Sequence, residues 1–323
     1  MKWKAIAGVA MLVCGMAARA DTYPSRPITF VVPNAAGGAM DSIARAMAET
    51  MSKRLGQPIV IDNRPGAGGM LGAQYVARAA PDGYTLLVTT SGPILMAPLL
   101  YAKVPYDVRR DFSFVSQICD GQLVMAVNTQ KVPVKSVTEF VGWAQQRKGS
   151  VTYGSYGVGS SAHLMASYFS ESNKLEMTHA AYKGEAPMMQ DLIGGQIDWG
   201  IGTTGTLAPH LKSGRLRALA VMGSQKLAEL PDVPTMAEAG FPGAEYRTIG
   251  WGGILAPANV PAPVLAKLEQ EARAAAQTTA MKARFQVFGM QPLGTTGAEF
   301  RRDVEATAPV VERLIRLSGA RVE

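Results

Sequence analysis

ITFVVPNAAGGAMD, residues 28–41, decides the fold. Ile28–Val32 is a short apolar run of strand length, and Pro33 stops it. Gly37 and Gly38 then mark a turn, after which Ile43, Met47, Met51 and Leu55 recur every fourth residue until Gly56, the pattern of a helix and its stop signal. Working outward, the pattern recurs: a strand at 59–61, a loop at 63–69, a helix to about Ala80, the turn Pro81-Asp82-Gly83 and a strand at 85–89. Strands alternating with helices predict an α/β fold with mostly parallel sheets.

A second set begins at 123–128, where Ser136 and Glu139 have the spacing of a helix-opening capping box. A strand at 151–156 runs through glycines into a helix from about Ser161. Strands follow near 177–182, 197–201 and 216–222, with a helix at 188–193 and a second capping box at Thr235 and Glu238. After a strand at 248–255 the tail reads as helices at 264–277, 281–288 and 300–318, with too few strands for a sheet of its own. It is therefore expected to pack on the first sheet. The expected organisation is two α/β lobes flanking a cleft: a discontinuous first lobe, 21–124 plus 252–323, and a second lobe, 125–251. Two chain crossings, near 123–128 and 249–255, would form a hinge. The length of 323 residues exceeds what one core usually organises.

Residues 1–20 read as a signal peptide: Lys2 and Lys4, an apolar stretch over 5–16, then Ala18-Arg19-Ala20. The stretch is shorter than the roughly 20 residues that span a bilayer, and Val13 before Cys14 argues against lipidation. Export to the periplasm is expected, with Asp21 first. Losing Lys2, Lys4 and Arg19 and no acid lowers the formal charge from +7 to +4. The remaining basic residues form no aromatic-interleaved patch, which argues against nucleic acid. Cys119 would be the one remaining cysteine, and His163, His179 and His210 are dispersed, so neither a disulfide nor a metal site is expected.

Two glycine-rich loops, 33–41 and 154–163, each join a strand to a helix. Unpaired N–H groups and the dipole at a helix start favour an anion, and glycine lets it approach the backbone. Candidate ligand contacts in the first loop are Asn34, Ala36, Gly37, Gly38 and Asp41, the last as helix cap or as partner of a ligand ammonium. In the second they are Ser155, Gly157, Gly159, Ser160, Ser161 and His163. Ser91, Tyr182 and Thr203 near strand ends, and Trp251 as cleft wall or core, complete the set. The first loop lacks the Gly-Lys-Ser/Thr ending of a phosphate loop. Gly157, Gly159 and Ala162 match a dinucleotide fingerprint, but the acidic residue it requires could only be Glu171 or Glu176, neither at a strand end, and no cofactor is expected. Ser160 or Ser161 with His163 leaves an exported hydrolase as an alternative, weakened by the absence of an orienting acid.

At these residues the chain resembles the Bug-type receptors, the extracytoplasmic solute-binding proteins of tripartite tricarboxylate transporters. The likeness rests on Pro33-x-Ala35-Ala36-Gly37-Gly38-x-x-Asp41, Asn63-Arg64-Pro65-Gly66-Ala67-Gly68-Gly69, Ala80-Pro81-Asp82-Gly83-Tyr84 and Gly157-x-Gly159-Ser160-Ser161-x-His163. It extends through Tyr182-Lys183-Gly184, Gly194-Gly195-Gln196-Ile197-Asp198 and Leu230-Pro231-Asp232-Val233-Pro234-Thr235. The resemblance implies a type II periplasmic-binding-protein fold and a monomeric, non-enzymatic receptor. It also implies a small mono- or dicarboxylate, among which amino acids and aromatic acids count, held by the two loops and delivered to membrane permease subunits. A sensor feeding a membrane kinase is the other receptor reading. Asn34, Gly202 and Gly252 depart from residues frequent in the family, and Gly202 stands where an acidic or other polar residue often does.

Overall fold

The computed structural model describes residues 23–247 and 249–320; residues 1–20, read above as a signal peptide, lie outside them. The chain opens with β1 (Ile28–Val32), α1 (Ala39–Leu55), β2 (Ile59–Asn63), α2 (Met70–Ala77) and β3 (Thr85–Thr90). A π-helical run, Gly92–Met96, leads into α3 (Ala97–Leu100), followed by α4 (Val108–Asp111) and the long β4 (Phe112–Gly121). Next come β5 (Leu123–Asn128), α5 (Val137–Gln145), β6 (Thr152–Ser155), α6 (Ser161–Ser172), β7 (Thr178–Ala181), α7 (Glu185–Ile193), β8 (Trp199–Thr203), α8 (Thr204–Lys212) and β9 (Leu216–Met222). The chain ends with β10 (Trp251–Pro257), α9 (Ala262–Ala276), α10 (Thr279–Val287), β11 (Met290–Pro292) and α11 (Gly297–Ser318).

The strands form two sheets, in the orders β11-β4-β10-β3-β1-β2 and β7-β6-β8-β5-β9. The expected α/β architecture is present, but the sheets are mixed rather than mostly parallel. Pairings of β1 with β2 and β3, and of β6 with β7 and β8, are parallel; those made by β4, β5 and β10 are antiparallel. The cause is the route between sheets. β4 and β5 carry the chain out of the first sheet through the single residue Gln122, β10 carries it back, and these strands run against the βα units beside them. Leu123 and Val124 pair within the second sheet and Trp251 within the first.

α1 buries the Ile43, Met47, Met51 and Leu55 stripe against Ile28, Phe30 and Val32 of β1. Gly56 ends the helix in the left-handed conformation that the sequence signalled. Ser136 caps α5 as expected, whereas the Thr235 and Glu238 box closes on turns rather than a helix. In central β10, a Cβ at Gly252 would lie 2.6 Å from Cys119 Sγ and one at Gly253 would lie 2.5 Å from the Phe300 ring. The departure at Gly252 is thus a packing requirement, and Cys119 is a buried apolar filler.

The tail corrects one expectation. α9 and α10 pack on α1, but α11 lies across both sheets, contacting β4 and α6. Its amphipathic face, Phe300, Val304, Val311, Leu314 and Ile315, shares a core with Leu164 and Phe169 of α6. Thr296 and Glu299 cap it reciprocally, and Gly297 presses against β4 so closely that a Cβ would run into the Phe114 carbonyl oxygen. Gly297→Ala is expected to displace the helix start and lower stability by about 1–3 kcal/mol, as read by urea unfolding; an unchanged midpoint would contradict this packing.

Candidate ligand cleft at the two glycine loops

The candidate residues lie at the ends of neighbouring strands. Asn34 follows β1 and Ser91 follows the adjacent β3; the loop after β6 lies between Tyr182, past β7, and Thr203, ending β8. In both sheets these are C-terminal ends of parallel strands, where open α/β sheets bind ligands. The lobes touch on two flanks: a Cβ at Gly159 would lie 3.4 Å from Leu100, and one at Gly289, ahead of β11, would lie 2.6 Å from Thr204 Oγ1.

The two loops are built alike. Gly37 and Gly159 have φ of +84° and +76°, so their conformation itself calls for glycine. In each loop the glycine N–H donates to the side chain four residues on, in the first turn of the following helix. Gly37 N–H donates to Asp41 Oδ2 at 2.8 Å, and Gly159 N–H to His163 Nδ1 at 3.1 Å. α1 has no side-chain cap, so its first-turn N–H groups at Ala39 and Met40 are left facing the loop. Ser160 caps α6 through the His163 N–H. Ala36, Gly37 and Gly38 are exposed, and Asn34 Oδ1 is buried with no partner among the described residues.

Asp41 is buried, and its carboxylate also accepts from Arg45 Nε at 3.0 Å and Asn63 Nδ2 at 2.9 Å. Burial alone would raise this carboxyl; Arg45, the Gly37 N–H and Asn63 outweigh burial and hold it below the usual carboxylate range. Its bonds brace the loop. His163 is buried under a stacked column, with its ring 4.0 Å from His179, which in turn stacks on Tyr153 at 4.9 Å. Burial, with His179 beside it, pushes His163 down to about 4, so the imidazole is neutral and Nδ1 is free to accept.

Other candidates are occupied differently. Tyr182 turns its hydroxyl to Asp191 Oδ2 at 2.7 Å. Trp251 stands edge-on to Phe300 at 4.8 Å, buried on the α11 side of β10, so it is core rather than wall of the loop cleft. Ser155 is wholly buried and bonds His179 Nε2 at 2.8 Å, while His163 Nδ1 is taken by Gly159; neither serine-histidine pair presents a nucleophile. Among the described residues no cluster of three or more potential metal ligands occurs, and no helix is long and apolar enough to cross a membrane.

Two residues escaped sequence reasoning. Glu185 accepts from the Thr203 N–H and hydroxyl and the Thr206 hydroxyl, and its Oε1 would lie 2.9 Å from a Cβ at Gly202. Gly202 makes the room for this carboxylate from α7. Tyr156, beside Ser161 and the Ala162 N–H, has its phenol pushed up to about 12 by burial and then by Glu185. An aromatic inside a glycine loop was the available signal for Tyr156; nothing in sequence spacing pairs 185 with 202.

Two lobes exchanging strands at a hinge, with ligand-type loops at facing strand ends, define a solute-binding protein of the two-lobe periplasmic class. The solved structures bear this out: R. palustris Rpa4515 with adipate is 34% identical, TM-score 0.74, covering 93% of this chain and 100% of that one. MatC from Rhodopseudomonas palustris with bound malate is 30% identical, TM-score 0.69, covering 91% and 100%. A TctC solute-binding protein from Polaromonas is 25% identical, TM-score 0.82, covering 91% and 99%. The chain belongs to the tripartite tricarboxylate transporter receptor family, whose model matches residues 43–319. Protein BugT of Bordetella pertussis is 34% identical over 322 residues, 99% of this chain and 98% of that protein. The protein is accordingly a receptor and not an enzyme.

His163 gives the cleft a pH signature. Unfolded histidine titrates near about 6.5, whereas the folded ring titrates at about 4. The stability that neutral His163 contributes is therefore complete above about pH 6.5 and is lost as pH falls toward about 4. His163→Phe, which keeps the ring stack but not the acceptor, should lose less stability than wild type between about pH 7 and about pH 4.5 in urea unfolding. Equal losses would refute the neutral-acceptor role.

Proposed function

We propose that the protein is an exported periplasmic receptor that captures a small carboxylate between its lobes and presents the closed form to the permease subunits of a tripartite transporter. The observation that carries this reading is the pair of glycine loops with matching i to i+4 braces, one on each lobe. Each brace uses one glycine N–H; the Ala39 and Met40 N–H groups remain at the start of α1 and the Ser161 N–H at the start of α6 for a ligand. In this reading Asn34, Ala36, Gly37 and Gly38 meet the ligand from the first lobe, with Ser91 beside them. Gly157, Gly159, Ser160, Ser161 and Thr203 meet it from the second. Asp41, Ser155 and His163 hold the loops in shape. The lobes correspond to the two sheets, hinged at Gln122 and in the segment that returns after Met222, and a ligand touching both loops shifts the population toward closure. Adipate and malate in relatives 34% and 30% identical support the carboxylate class.

No basic side chain lies in either loop, so affinity must come from several N–H and hydroxyl donors, each helix-end contact contributing about 0.3–1 kcal/mol. Adipate and malate are expected to raise the melting temperature while their diamides do not, because only a ligand of the folded state stabilises it. Gly37→Val and Gly159→Val should fold yet lose that shift. The cause is the positive φ, since a Cβ at Gly37 meets nothing within 4 Å. Equal stabilisation by acids and diamides would sink the anion-site reading.

A further inference from the structure

Gly289 and Thr204 meet beside the hinge, one from each lobe. Met290 of β11 pairs with Gly121 at the end of β4, and Thr203 of β8 pairs with Leu123 at the start of β5. Gly121 and Leu123 flank the linking residue Gln122, so Gly289 and Thr204 each lie one residue outside a strand partner of the link. β4 is antiparallel to β10, which is antiparallel to β3, so β4 runs with β3 and ends at the same cleft-facing edge. Thr204 follows the C-terminal end of β8, the cleft-facing edge of the second sheet. The seam therefore lies on the cleft side of the link. A Cβ at Gly289 would lie 2.6 Å from Thr204 Oγ1, 3.3 Å from the Thr204 nitrogen and 3.4 Å from the Gly205 nitrogen. Ordinary side-chain contact needs 3.4–4 Å, so the lobes approach here as closely as glycine permits. The neighbouring contacts are ordinary ones: a Cβ at Gly205 would lie 3.5 Å from the Val287 carbonyl oxygen, and Gln286 Nε2 donates to Glu229 Oε1 at 3.2 Å. On the other flank Gly159 meets only the end of the Leu100 side chain.

We infer, on the reading that the lobes close over a ligand, that the Gly289–Thr204 seam is the stop against which they close. Residue 289, outside both glycine loops, then sets the span between those loops and with it the affinity for ligand. A rotation about the link turns a small separation at the seam into a larger one at loops farther from it. A Cβ at position 289 has to widen the 2.6 Å approach into an ordinary contact. Because the seam is on the cleft side of the link, that widening holds the loops apart. Affinity then falls with the fraction of molecules still able to close, since the apparent Kd varies inversely with that fraction. The φ of +63° at Gly289 is a second reason for glycine, but backbone strain at one residue would lower stability without changing the angle between the lobes.

The test measures the distance between spin labels on Leu71→Cys and Lys183→Cys, exposed positions past the C-terminal ends of β2 and β7, with Cys14→Ser in place and Cys119 buried. In the ligand-free protein Gly289→Ala is expected to lengthen the mean distance. Whichever of adipate or malate raises the wild-type melting temperature should bind this variant at least fivefold more weakly. Adding Thr204→Ala, which removes the nearest atom in the seam, should recover most of both changes, while Thr204→Ala alone matches the wild type. Gly56→Ala, at φ +69° with nothing within 4 Å of its Cβ, carries the same backbone strain without the wedge and should alter neither measurement. If Gly289→Ala does not fold, Thr204→Leu, which fills the seam from the second lobe, carries the same expectation. The distance in the ligand-free protein needs no carboxylate, so it separates failure of the seam from failure of the ligand class. An unchanged distance or affinity in the seam variant, an equal effect from Gly56→Ala, or no recovery in the double variant would each overturn the proposal.

Discussion

Two backbone N–H groups, those of Gly37 and Gly159, set the shape of the two glycine loops. Each is drawn into its loop by a side chain from the next helix turn, and that single bond fixes where the remaining helix-start donors point. The solutions differ chemically. Asp41 is an anion neutralised by Arg45 and Asn63, whereas His163 is a neutral ring kept uncharged by burial. The charge of the Asp41 brace is cancelled nearby by Arg45, one helical turn away.

The glycine loops, the α1 stripe and the helix stops were legible because each is local: a period, a turn residue or a cap within a few positions. The braces were half legible. Asp41 and His163 stood out as polar residues in the first helix turn, but the glycine each binds depends on loop conformation that spacing does not specify. β4 was invisible in a different way. Its residues 112–121 bury side chains toward two separate cores, Phe112 and Phe114 on one side and Val115, Ile118 and Cys119 on the other, so no alternation survives. Missing β4 also hid the mixed character of the sheets. Trp251 was read as wall or core with equal reason, and the edge-on contact with Phe300, 49 positions along the chain, decides for core.

Glu185 shows how one carboxylate can tie three elements together. It reaches from α7 to the end of β8 and the start of α8, and Gly202, where a Cβ would lie 2.9 Å from its Oε1, leaves it the room. A carboxylate fixed by three donors is also more rigid than one on a strand end facing solvent.

The position of β10 has a consequence for the order of assembly. In the first sheet it lies between β3 and β4, which follow one another in sequence but never pair. The second sheet needs nothing beyond Met222, whereas the first stays split into two fragments until residues 251–257 are available to bridge them. The lobe that begins first along the chain is therefore the last to close. Its contacts span most of the chain length, the topology that folds slowly, and a chain threaded N-terminus first through a pore would keep this half unfolded for nearly the whole passage.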